Sequence, residues 1–286
     1  MTPEEEEAIR REFEAARRQG HTEPAAPAQE EPSFELNQFS RIHHVVGVIS
    51  GKGGVGKSLV TGILARELAR KGNKVGILDA DVTGPSIPRM FGLGSQKALG
   101  LDNLIVPVTT TGGIKVISAN LVLEHEDDPV LWRGPLLAGI IRQFWAETYW
   151  EELDYLLVDM PPGTGDVALT VFQSLPIDGV VIVSSPQDLV QMVVGKAVNM
   201  ANMMDVPIFG LVENMAYVAC PHCGQKVFPY GPSRLEETAT HYGLTQLGQL
   251  PIDERLALAC DKGAAETDLP DDLLPDAVSA ILEATR

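Results

Sequence analysis

Short, uniformly apolar runs rich in β-branched residues alternate along this chain with longer stretches in which apolar residues recur at helical spacing. The first run, "HHVVGVIS", ends in a glycine-rich loop, and "SLVTGILARELARKG" follows it. In that stretch Leu59, Val60, Ile63, Leu64 and Leu68 form one stripe, and Arg66, Glu67 and Arg70 are expected to face away. Gly72 is expected to close the helix in a left-handed conformation. "KVGILDAD", "GIKVISA", "DYLLVDM", "DGVVIVSS" and "IFGLVEN" read as further strands, with helical patterns at 135–147 and 188–204 among them. Strands this apolar are buried on both faces, as in a parallel sheet covered by helices. The expected fold is α/β, doubly wound and mostly parallel, with ligands at the carboxyl ends of the strands.

Composition sets the boundaries. The chain has 286 residues, 44% of them apolar, enough for a sizeable core. Residues 1–40 hold ten Asp and Glu against four Lys and Arg, which reads as a solvated acidic leader with a short helix near 4–18. The expected folded domain covers 41–264, and 265–286 is an acidic tail adding at most one helix. No basic-then-apolar leader and no apolar run near 18 residues is present, so neither a signal segment nor a membrane helix is expected. Three cysteines make no disulfide framework, and a reducing cytoplasm is the expected compartment. A formal charge of −17 opposes nucleic-acid binding.

The chemistry concentrates in the loop. Gly51, Gly56, Lys57 and Ser58 satisfy G-x-x-x-x-G-K-[ST], with a strand before and a helix after. Glycines let successive backbone N–H groups point at phosphate oxygens, and the helix N-terminus reinforces them. Gly51, Lys52, Gly53, Gly54, Val55, Gly56, Lys57, Ser58 and Leu59 are therefore expected to line a nucleotide site. Lys57 would grip the β- and γ-phosphates and the Ser58 hydroxyl would ligate Mg²⁺. Asp79, Asp81 and Asp159 end strands at the same side, where carboxylates can hold a metal shell, orient water, or merely cap helices. Gly163, in "PPGTG", could supply an N–H to the γ-phosphate. Lys52 is a second lysine that the loop chemistry does not require.

Cys220 and Cys223 form a C-x-x-C, which by itself suits zinc, an iron–sulfur cluster or a redox disulfide. One pair cannot fill four positions, but two copies of the chain supply four thiolates, enough for a Cys₄ zinc site or a [4Fe–4S] cluster. His222 lies between the cysteines and is expected to point outward. Cys260 reads as a structural thiol on a helix.

With these residues assembled, the chain resembles the Mrp/ApbC family of iron–sulfur cluster carrier ATPases, in the deviant Walker A class of P-loop NTPases that also holds MinD, ParA and the nitrogenase iron protein. The class mark is "GKGGVGKS" at Gly51–Ser58. "WRGP", "DYLLVDMPPGTGD", "PQD" and "ENMAYVACPHCG" are more specific to the carrier branch. The likeness spans about residues 43–263. It implies a homodimer in which Lys52 reaches the phosphates bound by the other copy, Asp81 orients water, Asp159 joins the metal shell and Asn214 reads adenine; Asp79 is structural. It further implies ATP and Mg²⁺ as cofactors, a [4Fe–4S] cluster bridging two subunits through Cys220 and Cys223, a scaffold protein as cluster donor and apo-proteins as recipients. The chain departs from the family pattern at "FPYGPS" after the cysteines, and at Val193 and Gly195, where relatives carry Asp and Arg. A MinD/ParA-type positioning ATPase, a nitrogenase-reductase-like electron carrier and a zinc-bridged ATPase switch are the competing readings.

Overall fold

The computed structural model describes residues 35–81, 84, 86–101, 104–122, 134–187 and 190–286. The leader and its expected helix near 4–18, Trp132 and Arg133 of "WRGP", and Asp188 of "PQD" lie outside the described residues.

Among the described residues the strands are β1 (Arg41–Ile49), β2 (Val75–Asp79), β3 (Leu99–Leu101), β4 (Leu104–Val106), β5 (Val108–Thr109), β6 (Lys115–Ser118), β7 (Glu152–Asp159), β8 (Gly179–Ser184), β9 (Ile208–Ala219), β10 (Lys226–Val227) and β11 (Gln246–Pro251). The helices longer than one turn are α1 (Lys57–Arg70), α2 (Gly134–Ala146), α3 (Asp166–Phe172), α4 (Val190–Met203), α5 (Leu235–Tyr242), α6 (Glu254–Asp261) and α7 (Pro275–Ala284). The main sheet runs β10-β9-β8-β1-β7-β2-β6-β5, with β11 also paired to β9. Only β10 and β5 are antiparallel within it; β3 and β4 form a separate hairpin.

The period of two along the strands divides the core. Val46 and Val48 of β1, with Leu157 of β7 and Val181 of β8, face Ile63, Leu64 and Leu68 of α1 and the α6 and α7 helices. Val45, Ile49, Leu156, Val158 and Ile182 face the opposite layer of α2, α3 and α4. The sheet is thus covered on both sides, which is why its strands are apolar without alternation. Gly72 does end α1 with a positive φ of 91°, its N–H bonded to the Ala69 carbonyl at 2.9 Å. At the carboxyl end, Val48 and Asp79 both pair with Asp159, so three strand ends meet beside the loop that follows β1.

Two expectations change. Arg66 and Glu67 do not face water; both are buried. The segment from Ala265 onward covers them: Leu269, Leu274, Ala277, Val278 and Ile281 join the core cluster of β1 and α1. Its acidic composition suggested a tail, but its apolar residues recur at helical spacing and its acids lie outward or bind arginine. Arg66 donates to Asp271 at 2.9 Å, to Glu67 at 2.7 Å and to the carbonyls of Glu266 and Pro270. Arg70 also pairs with Asp271, and hydrogen bonds from Arg70 and Arg66 hold the Asp271 carboxyl well below the usual range. Arg66→Ala should therefore lower stability by about 2–4 kcal/mol, because buried Glu67 loses its closest partner and the segment from Ala265 onward loses its anchor. Urea unfolding followed by far-ultraviolet circular dichroism measures this, and an unchanged midpoint would contradict it.

Candidate functional site

The loop after β1 turns on glycines that no other residue could replace without strain. Gly54 and Gly56 have φ of 77° and 81°, and a side chain on Gly56 would strike the Asn214 amide. Gly51 lies directly against the Val193 backbone carbonyl of α4, so one position that departs from the family pattern packs the loop. Gly195, the other, leaves room for Tyr242, whose hydroxyl donates to the Gln191 carbonyl at 2.9 Å.

Lys57 opens α1 and is 5% exposed. Its ammonium stands 2.7 Å from Asp159 Oδ1 and 3.7 Å from Asp81 Oδ2. The Asp159 contact is an ion pair without hydrogen-bond geometry, so the buried Nζ keeps uncommitted donors. An anion-seeking group in that state suits a phosphate. Asp159 is fully buried and accepts from Ser58 Oγ at 2.5 Å and Thr61 Oγ1 at 2.8 Å. Asp79 is also fully buried, accepting from Ser118 Oγ at 3.1 Å and the Asp81 N–H at 3.2 Å. Burial first, and the neighbouring Asp159 charge second, push the Asp79 carboxyl well above its ordinary value. Asp81 and Asp159 are the carboxylates that stand within ion-pair distance of Lys57.

A cavity of about 450 Å³ opens over this cluster, lined by Gly53, Lys57, Ser58 and Asp81 and, on its far wall, by Arg89 and Cys260. Leu59, Gly54 and Gly56 also line it. Lys52, next in sequence to the lining residue Gly53, is half-exposed, with its ammonium donating to Gln187. Gly163 has its N–H bonded to the Ser50 carbonyl at 3.0 Å, so an N–H contact to a γ-phosphate requires that bond to open. Asn214 is buried; its amide donates to the Val55 carbonyl and accepts from the Met215 N–H, both at 2.9 Å. It holds the loop from below.

Cys220 and Cys223 follow β9 on a tight turn closed by the Gly224 N–H to the Cys220 carbonyl at 2.8 Å. Cys220 is half-buried and Cys223 exposed, and both are free thiols. The backbone N–H groups of His222 and Cys223 point at the Cys220 sulfur and hold its thiol below the ordinary value. His222 is exposed, and among the described residues no three His, Cys, Asp or Glu side chains gather into a metal site. Val227, Phe228 and Tyr230, within or beside "FPYGPS", leave an apolar rim exposed next to the cysteines.

The family described as ParA: NUBPL iron-transfer P-loop NTPase matches residues 41–285. This chain belongs to that family. An iron–sulfur cluster carrier protein of Clostridium perfringens is 54% identical over 235 residues, spanning 80% of this chain and 82% of that protein. A protein of the same description from Methanocaldococcus jannaschii is 44% identical over 237 residues, covering 82% of this chain and 81% of its own. Among solved structures, a nucleotide-binding protein from Archaeoglobus fulgidus in complex with ADP superposes with a TM-score of 0.73 at 46% identity, covering 80% of this chain and 90% of that one. The cell division ATPase MinD of Pyrococcus furiosus shares the fold, with a TM-score of 0.63 at 17% identity over 84% of this chain and 99% of its own.

The iron-transfer P-loop NTPase scaffold thus brings Lys57, Ser58, Asp81 and Asp159 into one cluster, with Lys52 turned to Gln187. Sequence reasoning missed Thr61, one helical turn after Lys57, whose polar side chain inside an apolar helix was an available signal. It gave Gln187, inside "PQD", no role of its own, and it missed Arg89. Cys260, read as structural, lines the cavity; burial raises its thiol above the ordinary value. No described helix is long and apolar enough to cross a membrane.

Proposed function

We propose that this chain is a cytoplasmic, homodimeric ATPase that carries a [4Fe–4S] cluster and passes it from a scaffold protein to apo-proteins. The observation that carries the reading is the exposed C-x-x-C turn, with one thiol biased toward thiolate, on a nucleotide-binding scaffold of the iron-transfer family. Its relatives are described as cluster carriers. Lys57 binds the phosphates with its uncommitted ammonium, helped by the N–H groups of the loop. Ser58 and Asp159 are the residues that would hold Mg²⁺, which when bound neutralises phosphate charge. Asp81, at the cavity edge, orients the attacking water, and Lys52 of one copy approaches the phosphates of the other. Asn214 carries the adenine contact as well as the loop. Two thiolates per chain are half of a four-thiolate set, so the cargo site is completed by a second copy. The apolar rim of Val227, Phe228 and Tyr230 supports such a contact.

This reading expects one cluster per dimer after anaerobic reconstitution, or about four iron and four sulfide ions. Cys220→Ser or Cys223→Ser should remove it, whereas Cys260→Ser should not. Iron and acid-labile sulfide assays test this. Tightly held zinc, with no sulfide bound under reducing anaerobic conditions, would instead leave a zinc-bridged switch.

A further inference from the structure

Two adjacent residues of β9 face two different sites. Asn214 bonds to the Val55 carbonyl inside the phosphate loop. Glu213, fully buried, accepts from Ser233 Oγ at 2.5 Å, from the Arg234 N–H at 3.2 Å and from Gln249 Nε2 at 3.0 Å. Ser233 also receives a bond from Gln249 at 2.6 Å. The chain leaves β9 after Ala219, makes the cysteine turn, pairs again with Val218 and Ala219 as β10, and then reaches Ser233 and Arg234 beside Glu213. The cysteine turn and the segment that follows it are therefore tied to one strand at two places, through β10 and, at the residue next to Asn214, through the Glu213 carboxylate.

That strand is irregular at this point. Met215 has a φ of 58°, in the left-handed region, which costs a non-glycine residue about 1–2 kcal/mol. The pairing with β11 slips here too: Gln249 faces Glu213, yet Pro251 faces Tyr217. Strain of this kind persists only where surrounding contacts impose it, and it favours segments with two arrangements.

We propose that Glu213 is the positioning residue of the cysteine excursion, and that with Asn214 it forms a joint through which nucleotide in the loop changes the setting of Cys220 and Cys223. A nucleotide moves the loop only through contacts that differ between its states, and Val55 passes any such shift to Asn214. The Met215 bulge lets the peptide plane beside it turn, and Glu213 carries that turn to Ser233. The effect is reciprocal: occupancy at the cysteines changes nucleotide affinity by the same factor. The inference rests on the reading of the two sites given above, but its test requires no cluster.

The test uses the full-length, reduced, cluster-free protein. Iodoacetamide labelling of Cys220 and Cys223 is followed by peptide mass spectrometry without nucleotide, with MgADP and with a non-hydrolysable ATP analogue. Nucleotide affinity is measured separately. The wild type should change its labelling rate about five-fold or more between states, the lower end of ordinary coupling sizes. Ser233→Ala should lose that difference at unchanged nucleotide affinity, and Ser233→Thr, which keeps the hydroxyl, should restore it. Should Ser233→Ala not fold, Gln249→Met removes a second bond to the same carboxylate and should likewise flatten the response. A labelling rate indifferent to bound nucleotide in the wild type, or a full response in folded Ser233→Ala or Gln249→Met, overturns the joint. Failure to bind nucleotide overturns it together with the ATPase reading. Failure to bind iron and sulfide overturns the carrier reading alone.

Discussion

Lys57→Ala should lose nucleotide binding and turnover together, whereas Asp81→Asn should keep ATP bound and lose turnover. The two side chains stand 3.7 Å apart, yet their settings differ. Lys57 is buried, its Nζ has donors with no hydrogen-bond partner, and it stands where the loop turns its N–H groups. On the proposed reading, removing it deletes the charge that meets the phosphates in both the ground and transition states. It also leaves fully buried Asp159 without its 2.7 Å ion pair. The apo-protein should therefore lose roughly 3 kcal/mol of stability as well. Asp81 is 14% exposed at the cavity edge, and the asparagine isostere keeps its shape while removing the charge and one of the two acceptor oxygens that, on the proposed reading, orient water. Turnover should fall by about 10²–10⁴ with ATP affinity within a few-fold of wild type. Isothermal titration beside a phosphate-release assay separates the two outcomes. Normal turnover in Asp81→Asn would remove that residue from the chemistry.

Lys52→Ala should bind ATP normally and lose turnover by about 10³ or more, the range of cationic groups supplied across an interface. Within one chain the Lys52 ammonium meets Gln187 and no phosphate-gripping neighbour. On the proposed reading its role in catalysis is exerted on the nucleotide of the second copy. Mixing Lys52→Ala with Asp81→Asn chains supplies a direct check. A mixed dimer holds one site with an intact Asp81 and an intact Lys52 from across the axis, and one site lacking both. Random pairing at equal amounts should recover roughly a quarter of wild-type turnover, since half the dimers are mixed and each has one working site. No recovery, with mixed dimers shown to form, would exclude the role in trans.

The fold was legible where periodicity was strong. Six of the parallel strands carry continuous apolar runs, and α1 is bracketed by Gly56 and Gly72. β11 was not: Gly248 and Pro251 interrupt "QLGQLP", which becomes a strand only by pairing with β9. The acidic end of the chain misled because composition averages over faces. Ala277, Val278 and Ile281 are buried while their acidic neighbours remain outside. Arg66 was misplaced for the same reason, since what covers it lies about two hundred residues away in sequence. At the site, local motifs marked Lys57, Ser58, Asp159 and the cysteines. The Thr61, Gln187 and Glu213 contacts span non-local distances that no motif encodes.

The measurement closest to the central claim is transfer. Reconstituted protein is mixed anaerobically with the apo-form of an enzyme that needs a [4Fe–4S] cluster, in the presence of an iron chelator that intercepts free iron. Recovery of that enzyme's activity is followed alongside loss of the donor's visible absorption. Cluster held between two exposed C-x-x-C turns should pass to the acceptor faster than the chelator removes it, and Cys220→Ser protein carried through the same reconstitution should give no recovery. Recovery abolished by the chelator, or equal recovery with Cys220→Ser, would contradict the carrier function.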